Sequence, residues 1–105
     1  MIGQFDVYAN VGSNQNIPFV VVVQSSVFEA APRRVVVPLV AITAARLTPS
    51  RVTPAFEVAG RRVMLQPLEI TSVPVAALRQ RVGSLKDDGQ RVMDALDELL
   101  TQAFG

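Results

Sequence analysis

The chain has 105 residues, of which 50% are hydrophobic and 18% charged, and its formal net charge is +1. This composition excludes a disordered polar chain, and the small net charge excludes a strong general attraction to nucleic acid or membrane. Because the sequence contains no cysteine and no histidine, disulfide bonds, thiolate or imidazole metal sites and serine–histidine–acid catalysis are excluded as well. We expect no cofactor.

Charge is distributed unevenly along the chain. Up to Leu85 there are eight arginines and four acids, a balance of +4, whereas the segment from Lys86 onward has two bases and five acids, a balance of −3. A basic body of this kind favours an acidic partner. The start lacks the pattern of a signal peptide, and the apolar run Ile17–Val23 is far shorter than the ~20 residues that cross a bilayer, so we expect a cytoplasmic protein.

The first part of the chain predicts three strands. Gln4–Asn10 alternates apolar and polar residues, which is typical of a half-buried strand, and the polar loop Val11–Asn16 follows it. Pro18–Ser25 and Arg33–Leu39 are rich in β-branched residues, which favours strands covered on both faces. Since Pro38 cannot donate a ladder hydrogen bond, we expect the end of the third strand to lie at a sheet edge or a bulge.

The middle of the chain is less uniform. Val40–Pro54 fits either a helical turn or a bent strand, and its structure stays open. Ala55–Pro67 predicts a β-hairpin whose turn is formed by Ala59 and Gly60. The stretch 72–82, "SVPVAALRQRV", starts extended before its proline and then favours one or two helical turns.

The last segment predicts an amphipathic helix from Asp87 to Ala103, with Asp87 or Asp88 as the N-cap. The acids of its second half predict a solvated face. Together the elements predict one α+β, mainly β domain over residues 1–105. The apolar stripe of the helix consists of Val92, Leu96, Leu99, Leu100 and Ala103.

Residue chemistry favours a binding protein over an enzyme. The sequence has no glycine-rich phosphate loop, and its acids are too scattered to nominate an acid–base pair. The pairs Arg33-Arg34 and Arg61-Arg62 are either surface charges at strand ends or phosphate contacts of a nucleic-acid-binding module.

Three stretches occur in a specific combination and order: "QFDVY" at 4–8, "FVVVVQSSVFEAAPRRVVVPL" at 19–39 and "TSVPVAALRQRVGSL" at 71–85, followed by the terminal helix. In these stretches the chain resembles the CcdB family of toxins from bacterial toxin–antitoxin systems. The resemblance implies an SH3-like small barrel with an additional short antiparallel sheet and one C-terminal α-helix, paired as a homodimer. A dimer would give the valine-rich strands a second face to bury, as an ordinary barrel core would.

The resemblance also implies a mechanism without chemistry of its own. The protein would bind the A subunit of DNA gyrase and trap the enzyme on cleaved DNA. A CcdA-like antitoxin with an acidic disordered tail would remove the toxin, and the two together would repress their operon, so DNA would be contacted only through the antitoxin or gyrase. The alternative is a degenerate homologue that binds antitoxin and represses without poisoning gyrase.

The residues implied for these contacts form two sets. Family toxins end their helix on tryptophan-glycine-isoleucine, and an ungapped count places Thr101–Ala103 there, whereas a shift of three residues places Phe104-Gly105 at the aromatic-glycine pair. In either count the tripeptide is not intact, and Phe104 is either a displaced aromatic anchor or a residue folded back on the toxin. The gyrase-binding set is Val27, Phe28, Asp97 (where the family has an amide), Thr101, Gln102, Ala103, Phe104 and Gly105, and the antitoxin-binding set is Tyr8, Asn10, Ser13, Asn14 and Arg46.

Overall fold

The computed structural model describes residues 2–43 and 48–101 of the chain. In these ranges all strands belong to one antiparallel sheet, and the α-helix α1 (Gly89–Thr101) follows them. The fold is therefore α+β and mainly β, as the sequence predicts. The strands are β1 (Asp6–Ala9), β2 (Phe19–Val22), β3 (Arg33–Ala41), β4 (Ala55–Val58), β5 (Arg61–Leu65), β6 (Thr71–Pro74) and β7 (Arg81–Ser84).

The sheet curls into a partly closed barrel. Its strand order is β4-β5-β3-β2-β1-β7, and the two outer strands approach each other where Val58 of β4 lies over Gly83 of β7. Strand β6 stands off this path and pairs with the first half of β3, from Arg33↔Pro74 to Val36↔Thr71. This short branch is the additional antiparallel segment beside the barrel.

The valine-rich strands are covered on both faces, as the sequence predicts, and one chain alone provides the cover. Val21 and Val37 face the main core, which α1 closes with Val92, Ala95 and Leu96. The opposite face buries a smaller cluster of Tyr8, Val20, Val22, Val36 and Leu78. Because these valines alternate between two cores of the same chain, their burial requires no second subunit.

The prediction for Pro38 is wrong, since Pro38 lies inside the sheet opposite Val20 of β2. Its carbonyl faces the other side of β3 and accepts a hydrogen bond from the backbone N–H of Gln66 at 3.1 Å. On that side the pairing with β6 stops at Val36 and the pairing with β5 begins at Leu39. Proline has no backbone N–H, and at Pro38 that side of β3 faces the gap between β6 and β5, so no hydrogen bond between strands is lost.

The predicted hairpin is confirmed. Strands β4 and β5 pair up to Val58↔Arg61, and the two residues between them have positive φ, 51° at Ala59 and 77° at Gly60. Positive φ at both central positions is the signature of the tight turn that matches strand twist, and glycine adopts it without steric cost.

Strand β7 occupies positions where helical turns were expected. The stretch does contain one 3₁₀ turn, Val75–Ala77, but the chain then returns to the sheet and Arg81–Ser84 pairs with β1. The guanidinium of Arg81 lies 3.3 Å from the carboxylate of Asp6 across this pair. In the open stretch Val40–Pro54, β3 continues to Ala41, and residues 44–47 lie outside the described ranges.

Two details of the predicted helix are wrong. Neither Asp87 nor Asp88 caps the helix with its side chain, because both lie in a 3₁₀ turn, Lys86–Asp88, that precedes α1. At the start of this turn the backbone N–H of Lys86 donates to the hydroxyl of Ser84 at 3.0 Å. In the apolar stripe Val92 and Leu96 are buried, but Leu100 is 65% exposed. Ala103 lies outside the described residues.

Candidate binding surfaces

Several large apolar side chains stay exposed after both cores have formed. Val27 is 82% and Leu68 79% exposed, the highest fractions among the large apolar residues that the structure describes. Exposed apolar side chains that stand together mark surfaces for partners. The full set is Val11, Val27, Phe28, Val52, Leu68, Ile70 and Leu100.

Val27 and Phe28 form one of these surfaces. They lie in the 3₁₀ turn Ser26–Phe28 between β2 and β3, and Phe28 is 61% exposed. The hydroxyl of Ser25 accepts a hydrogen bond from the N–H of Val27 at 3.2 Å and begins the turn. The family resemblance placed both residues in the gyrase-binding set, and the structure presents both to solvent on a hydrogen-bonded turn.

The end of α1 carries the other predicted gyrase residues. Asp97 and Thr101 are exposed, and the hydroxyl of Thr101 donates to the carbonyl of Asp97 one turn earlier. In the described ranges no hydrogen bond or ion pair connects this end of α1 to the turn Ser26–Phe28. The predicted residues 102–105 lie outside the described residues.

An apolar groove runs beside α1. It has a volume of about 320 Å³ and lies between the helix and the 3₁₀ turn Pro67–Glu69. Ala95 and Leu99 form the helix wall, and Leu68 and Val52 form the other wall. Sequence reasoning missed this surface, because Leu68 and Val52 belong to connections whose apolar residues follow no periodic pattern.

The loop between β1 and β2 carries most of the predicted antitoxin set. The side chain of Asn10 holds this loop, since it donates to the carbonyl of Ile17 at 2.9 Å and accepts from the N–H of Gly12 at 3.1 Å. Ser13 and Asn14 are exposed. A cavity of about 450 Å³ opens beside Asn14 and reaches Val40, Gln66 and Glu69, while the predicted Arg46 lies outside the described residues.

Tyr8 differs from the rest of that set because it is only 6% exposed. Its ring packs in the smaller core cluster with Val20 and Leu78. Burial raises the pKa of the Tyr8 hydroxyl, the nearby Asp6 carboxylate raises that pKa further, and Arg81 and Arg34 oppose the rise. Any contribution of Tyr8 to a partner contact in this conformation is therefore through the position of the loop that follows β1.

The ionisation of Tyr8 can be measured directly, because Tyr8 is the single tyrosine and the chain has no tryptophan. We expect the native protein to form tyrosinate at higher pH than the chain in denaturant, where the pKa is near the ordinary value of 10.0. Folding raises this pKa, so ionisation of Tyr8 lowers the free energy of unfolding. The protein therefore keeps its full stability below about pH 10 and loses part of it as the pH rises through the native pKa. Ultraviolet titration with and without denaturant tests this expectation, and equal midpoints would contradict it.

The pair Arg33-Arg34 is engaged within the protein, whereas Arg61 and Arg62 are exposed. Arg34 is 6% exposed, and the exposed Arg33 is bonded to Ser72, with Nε 2.9 Å from its hydroxyl and Nη2 2.8 Å from its carbonyl.

The predicted acidic helix face is partly solvated: Asp94 and Asp97 are exposed, whereas Glu98 is ion-paired with Arg51.

Two further observations concern the described residues alone. Within 2–43 and 48–101 no group of three acidic side chains could hold a metal ion. In the same ranges no helix has the length and apolar character needed to span a membrane.

Comparison with known proteins identifies a family. The family model described as CcdB protein matches residues 4–102, almost the whole chain. A search of the curated proteins found no match.

Proposed function

The chain belongs to the CcdB family of toxins from toxin–antitoxin systems, which act on DNA gyrase, and from this premise we propose that it binds the gyrase A subunit and traps gyrase on cleaved DNA. The observation that carries the proposal is the exposed pair Val27 and Phe28, held on a hydrogen-bonded turn inside the matched region. The whole chain, residues 1–105, acts as one toxin domain.

The proposed mechanism is binding, and the toxin itself makes or breaks no covalent bond. A protein that binds the open, DNA-cleaving state of gyrase more tightly than the closed state shifts the population toward the open state. Exposed apolar anchors such as Phe28 supply the affinity, since a single buried aromatic contact contributes about 2–4 kcal/mol when truncated to alanine. This difference in affinity holds the cleaved DNA intermediate without any reacting group on the toxin.

The end of α1 supplies the second half of the gyrase contact. Asp97 and Thr101 are exposed there, and residues 102–105 follow directly. We assign Gln102, Ala103, Phe104 and Gly105 to this contact on the sequence alone. Since the family's terminal tripeptide is not intact, Phe104 replaces its aromatic residue.

The antitoxin contact is proposed at the loop between β1 and β2, with the exposed Ser13 and Asn14, the loop-holding Asn10 and the residue Arg46. The charge balance of +4 before Lys86 suits an antitoxin with an acidic tail. In this complex the toxin also represses its operon. Gyrase, the antitoxin and the operon are cytoplasmic, so the proposed location of the protein is the cytoplasm.

A homodimer completes the proposal. The valine-rich strands are already covered within one chain, so the dimer needs another apolar surface, and the groove beside α1 with Leu68 at its rim is such a surface. Sedimentation equilibrium of the purified chain tests the oligomeric state. A particle with the mass of one chain at micromolar concentration would contradict the dimer.

The experiment that tests the gyrase proposal is a DNA-cleavage assay with the purified chain, gyrase from the source organism and supercoiled plasmid, with and without ATP. We expect linear DNA with covalently attached protein. No cleavage by a folded chain that still binds antitoxin would favour the degenerate homologue instead. A gel shift with bare plasmid, without gyrase, distinguishes the nucleic-acid-binding module, which would bind DNA in a salt-dependent manner.

A further inference from the structure

We infer that Arg34 and Gln24 are positioning residues that hold the turn Ser26–Phe28 in its binding-competent shape. The inference rests on the proposed gyrase contact of Val27 and Phe28 and adds the residues that prepare it. Sequence reasoning took Arg34 as a surface charge or a phosphate contact and left Gln24 without a role.

Arg34 is the single buried charged residue in the part of the chain that the structure describes. Its guanidinium donates three hydrogen bonds to backbone carbonyls, those of Glu29 at 2.8 Å, Ala31 at 2.7 Å and Arg33 at 3.0 Å. Two of these acceptors, Glu29 and Ala31, belong to the connection that carries the turn. A buried cation needs such partners, so the fold and the connection constrain each other.

Gln24 holds the same connection from the β2 side. Its side-chain amide donates to the carbonyls of Phe28 and Arg33, each at 3.2 Å, while its carbonyl oxygen accepts from the N–H of Val35 at 3.0 Å. The amide therefore ties the backbone of Phe28 to the first residues of β3. Gln24 and Arg34 form the clamp, a name we use for these two side chains together.

Apart from the clamp, residues 25–31 of the connection between β2 and β3 have only short-range hydrogen bonds, such as Phe28 N–H to Ser25 carbonyl at 3.0 Å and Ala31 N–H to Phe28 carbonyl at 2.9 Å. The turn also buries no side chain of its own. A loop of this kind samples many conformations, and the apparent affinity of a partner falls in proportion to the competent fraction. The clamp therefore contributes to gyrase binding without touching gyrase.

The test compares Arg34→Met with Arg33→Met, two adjacent variants that lose the same charge. Binding of each to the purified gyrase A subunit is measured, together with amide hydrogen exchange. For Arg34→Met we expect about tenfold weaker binding and about tenfold faster exchange at Phe28 and Ala31, with Val21 and Val37 unchanged. Arg33→Met should bind as the wild type does, because its side chain contacts Ser72 instead.

A double-variant cycle separates positioning from general destabilisation. In a background that carries both Val27→Ala and Phe28→Ala the contacts of the turn are already lost, so adding Arg34→Met should weaken binding by less than about twofold. An equal loss in both backgrounds, or faster exchange throughout the sheet, would overturn the inference. If Arg34→Met does not fold, Gln24→Met replaces it in the same cycle.

Failure of the inference and of the proposed function remain distinguishable. If the wild type binds gyrase and Phe28→Ala weakens that binding while Arg34→Met and Gln24→Met do not, the clamp is refuted and the gyrase contact stands. If the wild type does not bind gyrase, the proposed function fails. In that case unchanged exchange at Phe28 in both clamp variants would also refute the clamp.

Discussion

Replacing Phe28 by aspartate should raise the toxin concentration needed for half-maximal gyrase-dependent DNA cleavage by roughly 30- to 700-fold, which corresponds to a loss of about 2–4 kcal/mol of binding. Phe28 is 61% exposed and lies in a turn that buries no side chain, so the substitution does not disturb either core. A carboxylate at that position would have to be desolvated against the apolar surface that accepts the ring. The measurement is a titration of linear plasmid with the purified variant.

Two controls define what the Phe28 result means. Phe28→Leu keeps an apolar side chain and should retain most of the activity. Val11→Asp introduces the same charge at an exposed valine in the loop between β1 and β2, outside the proposed gyrase contact, and should induce cleavage by gyrase as the wild type does. If Phe28→Asp is folded by circular dichroism and induces as much cleavage by gyrase as the wild type, gyrase does not contact this turn.

The second large effect concerns stability. Val37→Ala should lower the free energy of unfolding by about 2–3 kcal/mol, because Val37 is 0% exposed in the main core and two methyl groups are replaced by a cavity. For a domain of this size that loss lowers the melting temperature by about 10 °C. Thermal unfolding followed by circular dichroism at fixed protein concentration measures it.

Val11→Ala is the matched control, since it removes the same two methyl groups from a side chain that is 57% exposed. Its unfolding free energy should change by less than about 0.5 kcal/mol. If the two variants were equally stable, Val37 would not lie in a close-packed core, and the packing of β3 in the main core would be incorrect.

The parts of the fold that depend on local pattern could be predicted from the sequence. The β-branched runs of β2 and β3, the hairpin with its Ala59-Gly60 turn, and the helical periodicity of Val92 and Leu96 all appear where the pattern placed them. In each case the determining forces act between residues close in sequence or on one face of one element.

The parts that failed depend on partners distant in sequence. Strand β7 has no strong strand pattern of its own, and it forms because β1 offers an unpaired edge. Pro38 was predicted at an edge or a bulge because the sequence shows that its backbone N–H is missing. The sequence does not show the gap between β5 and β6 beside which Pro38 lies. Pairing of this kind is decided by the assembled sheet, which overrides local propensity.

The binding surfaces could also be predicted only in part, because contacts between residues distant in sequence support them. The family resemblance selected Val27 and Phe28, but it gave no role to the clamp behind them. Strict alternation along β3 places Arg34 on the same face as Val36, so the burial of Arg34 could have been inferred once both faces of β3 were taken as covered. The hydrogen bonds of Arg34 to the carbonyls of Glu29 and Ala31 could not be inferred, because these two acceptors lie in an irregular loop.

The pairing of β1 with β7 has a consequence for how the protein is made. The two strands come from opposite ends of the sequence, and β1 exchanges ladder hydrogen bonds with Ser84 and its neighbours only after those residues exist. During translation, therefore, the barrel stays open until the last strand has left the ribosome, and contacts of such long sequence separation form slowly. A partially synthesised chain that lacks β7 leaves the edge of β1 unpaired, so the sheet reaches its final form only after Ser84 has been made.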